Sequence, residues 1–149
     1  MIAQDTSAVD VALAALISSD ATLAGLLPDG VWWGVAPAGA TRFVILAQVD
    51  HGDAYTIGNG VAWDRIVYLA KAVTAGDSGS LANQAAAQIH KILQGAVIQA
   101  TGYHPSIVVQ RLERVRPPVE IDDQTDQRWH HAGGQYEILI TPLPEQGDR

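Results

Sequence analysis

The chain has 149 residues, 48% of them apolar and 17% charged, with 9 Lys+Arg against 16 Asp+Glu, a net charge of −7 and no cysteine. That size supports one hydrophobic core, the composition lies far from the disordered class, and the missing cysteine excludes disulfide scaffolds, thiol nucleophiles, zinc ribbons and iron–sulfur ligation. No apolar run nears the roughly 20 residues of a membrane-spanning helix, and Met1-Ile2-Ala3-Gln4-Asp5 lacks the basic start of a secretory signal, so a cytoplasmic-type product without a membrane partner is expected.

Thr6 or Ser7 caps a first helix in which Val9, Ala12, Leu13, Leu16 and Ile17 recur at helical spacing on one face, with Asp10 in its first turn. Ser18-Ser19-Asp20 recaps the chain for a short second helix, Ala21 to Leu27, stopped by Pro28-Asp29-Gly30. Val31-Trp32-Trp33 reads as a short strand and Gly34 to Ala40 as a turn-rich segment. Phe43 to Val49 is apolar on both alternating faces, as a strand inside a sheet is. Asp50 to Gly60 is expected to be a polar loop, and Val61 to Val73 the longest strand.

After a linker, Ser78 or Ser80 caps a helix whose stripe is Leu81, Ala85, Ile89 and Ile92, with His90 and Lys91 near its end and Gly95 as its stop. The opposite face, Asn83, Gln84, Gln88 and Gln94, is nearly uncharged and suits contact with another subunit. Ser106 to Arg116 is a strand ended by Pro117-Pro118, Val119 to Gly134 a long polar loop, Gln135 to Pro142 the last strand, and 143–149 a frayed tail. The order predicts a single α+β domain over 1–149, a mainly antiparallel sheet of four to five strands backed by two helices.

Titratable groups crowd in one place, Asp122, Asp123 and Asp126 followed by Arg128, Trp129, His130 and His131. Their spacing matches no metal-ligand motif, and the segment reads as a solvated loop or one that orders on a partner. Asp50-His51-Gly52-Asp53 resembles half of a catalytic dyad without a nucleophile elbow to complete it, and Gly58-Asn59-Gly60 lacks the ending of a phosphate loop. No catalytic, metal or cofactor residue is assigned. The candidate partner-contacting residues are Asp50, His51, Asp53, Tyr55, Asp122, Asp123, Asp126, Arg128, Trp129, His130 and His131. A small metal-dependent enzyme built on Asp122, Asp123, Asp126, His130 and His131 and a ligand-binding module are two readings the residues leave open.

The charge is segregated along the chain. Residues 1–60 hold one basic and six acidic side chains, 61–116 six basic and three acidic, and 117–149 two basic and seven acidic. Such a chain is a poor clamp for a nucleic acid backbone, which is held by clustered Lys and Arg, and a fair candidate for self-association through complementary patches.

The stretches "ALISSDATLAGLL", "DGVWWGVAPAGATRFVILAQV", "DRIVYLAKAV", "SLANQAAAQIHKIL", "SIVVQRLERVR" and "GGQYEILITPL" stand in the order found in the tail-terminator or tail-completion proteins of long-tailed, siphovirus-like bacteriophages. The chain resembles that family from about Ala8 to Leu143. The resemblance implies a non-enzymatic virion protein, present in the host cytoplasm during assembly, that forms a homohexameric ring on the head-proximal end of the tail. Such a ring contacts the major tail tube protein on one side and the head-tail connector or head-closure protein on the other, and DNA passes through its lumen without specific binding. Another neck or head-closure ring component is the nearest alternative.

Overall fold

The structure, a computed structural model, describes residues 6–55, 61–105 and 108–143. Helix α1 (Ser7–Ser18) begins at Thr6, whose backbone carbonyl accepts from the N–H groups of Val9 and Asp10 while its hydroxyl faces Gln48. Helix α2 (Ala21–Leu26) is capped by Asp20, whose carboxylate accepts from the Leu23 N–H at 2.9 Å. Helix α3 (Ser80–Leu93) carries His90 and Lys91 in its last turn and is followed by Gly95 at φ +73°.

The strands are β1 (Val31–Trp33), β2 (Arg42–Tyr55), β3 (Val61–Ala75), β4 (Val108–Val115), β5 (Glu120–Ile121) and β6 (Arg128–Ile140). They form one sheet in the order β1-β2-β3-β6-β4, with β5 also paired to β6. β1 runs parallel to β2 and every other pairing is antiparallel. This is the expected α+β fold with a mostly antiparallel sheet, with three helices and a short sixth strand among the described residues.

Two expected loops are largely strand. β2 does not stop at Val49: after a register shift between Gln48 and Asp50 it continues through His51 and Gly52 to Tyr55, paired with the first half of β3. The bulge places the extra residue, Val49, outside the ladder and restores pairing beyond it. Residues 56–60 of that expected loop lie outside the described residues, as do 106–107 and 144–149. β6 likewise begins at Arg128, seven residues before the expected strand, because β3 offers a matching edge as far as Ala75 opposite Trp129. Only the turn Asp122–Gln127 remains of the expected loop between Pro118 and Gln135, apart from the short β5 and its approach.

Alternation sorts the sheet into two faces. Val44, Leu46, Ile66, Tyr68, Ala70, Ala72, Tyr136, Ile138 and Ile140 form the main core with Val9, Leu13 and Ile17 of α1 and Ala85, Ile89 and Leu93 of α3. The buried Tyr68 hydroxyl donates to the Asp10 carboxylate, which fixes α1 against the sheet, and burial together with that negative neighbour pushes its pKa up. The other face carries a small cluster of Phe43, Ile45 and Val73 with Trp129, Ala36 and Ala40.

Gly133 and Gly134 lie inside β6. A Cβ on Gly133 would overlap the Ala70 carbonyl oxygen and the Lys71 backbone, and one on Gly134 would stand 2.9 Å from the Glu113 carbonyl oxygen. The pair lets β3, β6 and β4 approach closely at mid-sheet. Gly133→Ala is expected to destabilise the fold by about 3 kcal/mol or more. Gly25→Ala, inside α2 with open space around it, is expected to gain about 0.5–1 kcal/mol from helix propensity. Urea unfolding of the two variants checks both signs.

Candidate functional site

The candidate residues divide into two groups at opposite ends of the sheet. Asp50 and His51 lie on the distal half of β2, opposite Val67 and Ile66 of β3, whereas Trp129, His130 and His131 pair with Ala75, Thr74 and Val73. Seven residues of β3, roughly 23 Å of strand, separate Ile66 from Val73, so the two groups do not form one site.

The distal group is engaged within its own sheet. Arg65 bridges the carboxylates of Asp50, at 3.1 Å, and Glu137, and His51 Nε2 stands 3.9 Å from the buried Asp64. The backbone of Asp53 pairs with Asp64 and that of Tyr55 with Val61. Charge match across neighbouring strands accounts for the Arg65 bridges, and among the described residues this group brings together no nucleophile and base.

In the second group Trp129 packs on Phe43 with ring centroids 6.2 Å apart, and His130 Nε2 donates to the Gly76 carbonyl at 2.9 Å. His131 is about 90% shielded, 3.6 Å from the exposed Glu120 carboxylate. Burial pushes its pKa below the ordinary 6.5, as does the nearby Lys71 charge, and Glu120 opposes both. Trp129, His131, Lys71 and Glu120 line a groove of about 390 Å³ on the sheet face away from the helices, roofed by the Gly34–Ala40 segment, whereas His130 alternates to the other face beside Gly79. The walls of the groove are mostly apolar.

Beyond Trp129 the chain turns in a tight acidic hairpin. The Asp126 N–H donates to the Asp122 carbonyl at 2.8 Å, the Asp122 carboxylate accepts from the Gln124 N–H, and Asp126 sits at φ +55°. That left-handed conformation is one aspartate tolerates. Among the described residues Asp122, Asp123 and Asp126 form no ion pair.

One set of residues was not singled out in the sequence. Arg111, Arg114 and Arg116 line a cleft of about 380 Å³ between α3 and β4, floored by Ala86, Ala87, Ala132 and Gly133 and edged by His90. A register shift between Arg111 and Glu113 turns Arg111 and Arg114 toward the same face, since they pair with Tyr136 and Gly134. Simple alternation hides this because the bulge falls between them. The His90 pKa is lowered by burial and by the charges of Arg111 and Arg114. The amide face of α3 is used partly within the chain, where Gln88 donates to Asp20 at 3.0 Å.

Among the described residues no group of three or more His, Asp or Glu could hold a metal ion, and no helix is long and apolar enough to cross a membrane. No protein-family profile and no curated protein matches the chain. The fold is one found in a virion. A chain in the solved structure of the virion of a native gene transfer agent particle aligns with a TM-score of 0.58, over 93% of this chain and 99% of that one, at 20% identity. At that identity the likeness is one of fold, and it extends over nearly the whole of both chains.

The buried His131 makes stability depend on pH in a defined direction. The folded chain holds its imidazole neutral while the unfolded chain protonates near 6.5, so stability that is complete above that pH is lost as pH falls through the depressed folded value. Unfolding by urea at pH 7.5 and pH 5.5 should give a smaller difference for His131→Leu than for the unaltered protein.

Proposed function

We propose that this protein is a structural component of a phage-like virion, and within it the terminator of the tail tube. The observation that carries the first part is the end-to-end fold likeness to a chain of the gene transfer agent virion. The second part is supported by the resemblance of the ordered sequence stretches from Ala8 to Leu143 to the tail-terminator family. The surface chemistry is consistent with it: the titratable residues stand in ion pairs, a hairpin turn and an arginine-lined cleft, an arrangement suited to contact between proteins.

In this reading the protein assembles as a non-enzymatic ring dedicated to ending tube growth, with the major tail tube protein below it and the connector or head-closure protein above. The excess of acid in residues 1–60 and 117–149 lets DNA pass without adhering, since phosphates are repelled by like charge. The protein acts at the head-proximal end of the tail and is found in the host cytoplasm before assembly. A head-closure ring is the second reading, and the same virion likeness is compatible with it.

Purified tail tubes decide between them. Added during tube polymerisation, the protein is expected to limit tube length and to be seen at one end by negative-stain microscopy. Tubes that grow unchecked and uncapped overturn the terminator reading. Binding to isolated connectors without binding to tubes supports the head-closure ring instead.

A further inference from the structure

Two patches of opposite charge stand without ion pairs among the described residues. Arg111, Arg114 and Arg116 converge on the α3–β4 cleft, and among the described residues none of them forms an ion pair. Asp122, Asp123 and Asp126 stand at the β5–β6 turn in the same condition, in a chain whose overall charge is −7. Exposed apolar side chains accompany both, Leu112 beside the arginines and Val119 and Ile121 leading into the hairpin. The outer edge of β4 has no partner strand among the described residues.

The hairpin cannot reach the cleft of its own chain. Arg114 pairs with Gly134, and seven residues of β6 separate Gly134 from Gln127 at the turn, roughly 23 Å of extended strand. The hairpin is also held pointing away, by the pairing of Glu120 with Trp129 and Ile121 with Arg128. An anionic occupant of the cleft comes from elsewhere, and the acidic hairpin of a second copy has the opposite charge.

We infer that the arginine cleft between α3 and β4 receives the acidic β5–β6 hairpin of a second copy of this chain. The inference rests on the assembly reading above and names the contact it needs. The two halves of the contact are different surfaces, so each copy offers one hairpin and one cleft, and the association is heterologous and closes as a ring when the rotation permits. Duplex DNA is the other polyanion to weigh, and three arginines in an acidic chain fall short of the extended basic stripe such binding uses.

Charge reversal tests the contact on the full chain by light scattering after size exclusion. The hairpin variant is Asp123→Lys, Gln124→Lys and Asp126→Asn, which spares the Asp122 carboxylate that caps the turn and keeps a residue suited to positive φ at 126. The cleft variant is Arg114→Glu and Arg116→Glu, which spares Arg111 beside Tyr136. The unaltered protein is expected to self-associate, and less so at 1 M salt. Each variant alone, folded by circular dichroism, should lose association by about a hundredfold or more. An equimolar mixture of the two should regain it, because each altered hairpin then meets an altered cleft and each native hairpin a native cleft.

A monomeric unaltered protein, variants that associate unchanged, or a mixture that stays dissociated each overturn the inference. Variants that lose binding to a labelled DNA duplex while keeping their oligomeric state overturn it in favour of a nucleic acid. If the reversals leave association intact and the protein still caps tubes, the contact is wrong and the terminator reading stands. If the contact holds but the oligomer is a reciprocal pair, the contact stands and the ring falls.

Discussion

The rest of the structure depends on the double pairing of β3. From Asp64 to Thr74 it is hydrogen-bonded to β2 on one edge and to β6 on the other, apart from the bulge in β2 at Val49. A strand paired on both sides loses its freedom to bend, and its alternation then dictates what each face must carry. Ile66, Tyr68, Ala70 and Ala72 turn to the helices, and Val73 turns to the opposite face with Phe43 and Ile45. Because β3 is long, its neighbours must be long too, and that requirement draws segments into the sheet which their own composition would leave outside.

The consequences appear at both ends. Asp50, Gly52 and Asp53 have low β-propensity and Gly52 adds turn character, so the stretch reads as a loop on local grounds. Pairing with β3 overrides that preference, and the Arg65 link between Asp50 and Glu137 supports it across three strands. Arg128 to Gly134 has no regular polar and apolar alternation and ends in two glycines. Its strand character comes from β3, and the glycines are needed because backbone and side chains of Ala70, Lys71 and Arg111 stand where Cβ atoms would be. Non-local pairing of this kind cannot be seen from propensity.

What was legible follows the same logic. The helices are visible because their apolar stripes are local patterns: Val9, Leu13 and Ile17 and Ala85 and Ile89 are buried, Ala12, Leu16, Leu81 and Ile92 are half-buried, and on α3 the buried face is completed by Ala82 and Leu93. The apolar interiors of β2 and β3 are visible because a strand enclosed on two faces is apolar on both. The acidic turn at Asp122 to Asp126 was legible as a group, and its closure as a hydrogen-bonded hairpin between β5 and β6 was not. The arginine cleft was recorded in the sequence as segment charge alone, because a β-bulge at Leu112 and packing against α3 are needed to gather the three guanidinium groups into one place.

Fold and surface together describe a stiff plate with its helices on one side and unlike charges along one edge. A plate of this kind is suited to assembly, where rigid geometry and complementary edges fix the relation of one copy to the next. The most direct measurement of that account is the position of the protein in particles, by electron microscopy of virions carrying an epitope-tagged copy labelled with gold. Label confined to the junction between head and tail is the result the account predicts. Particles without label, or label along the capsid or at the distal tail tip, would contradict it.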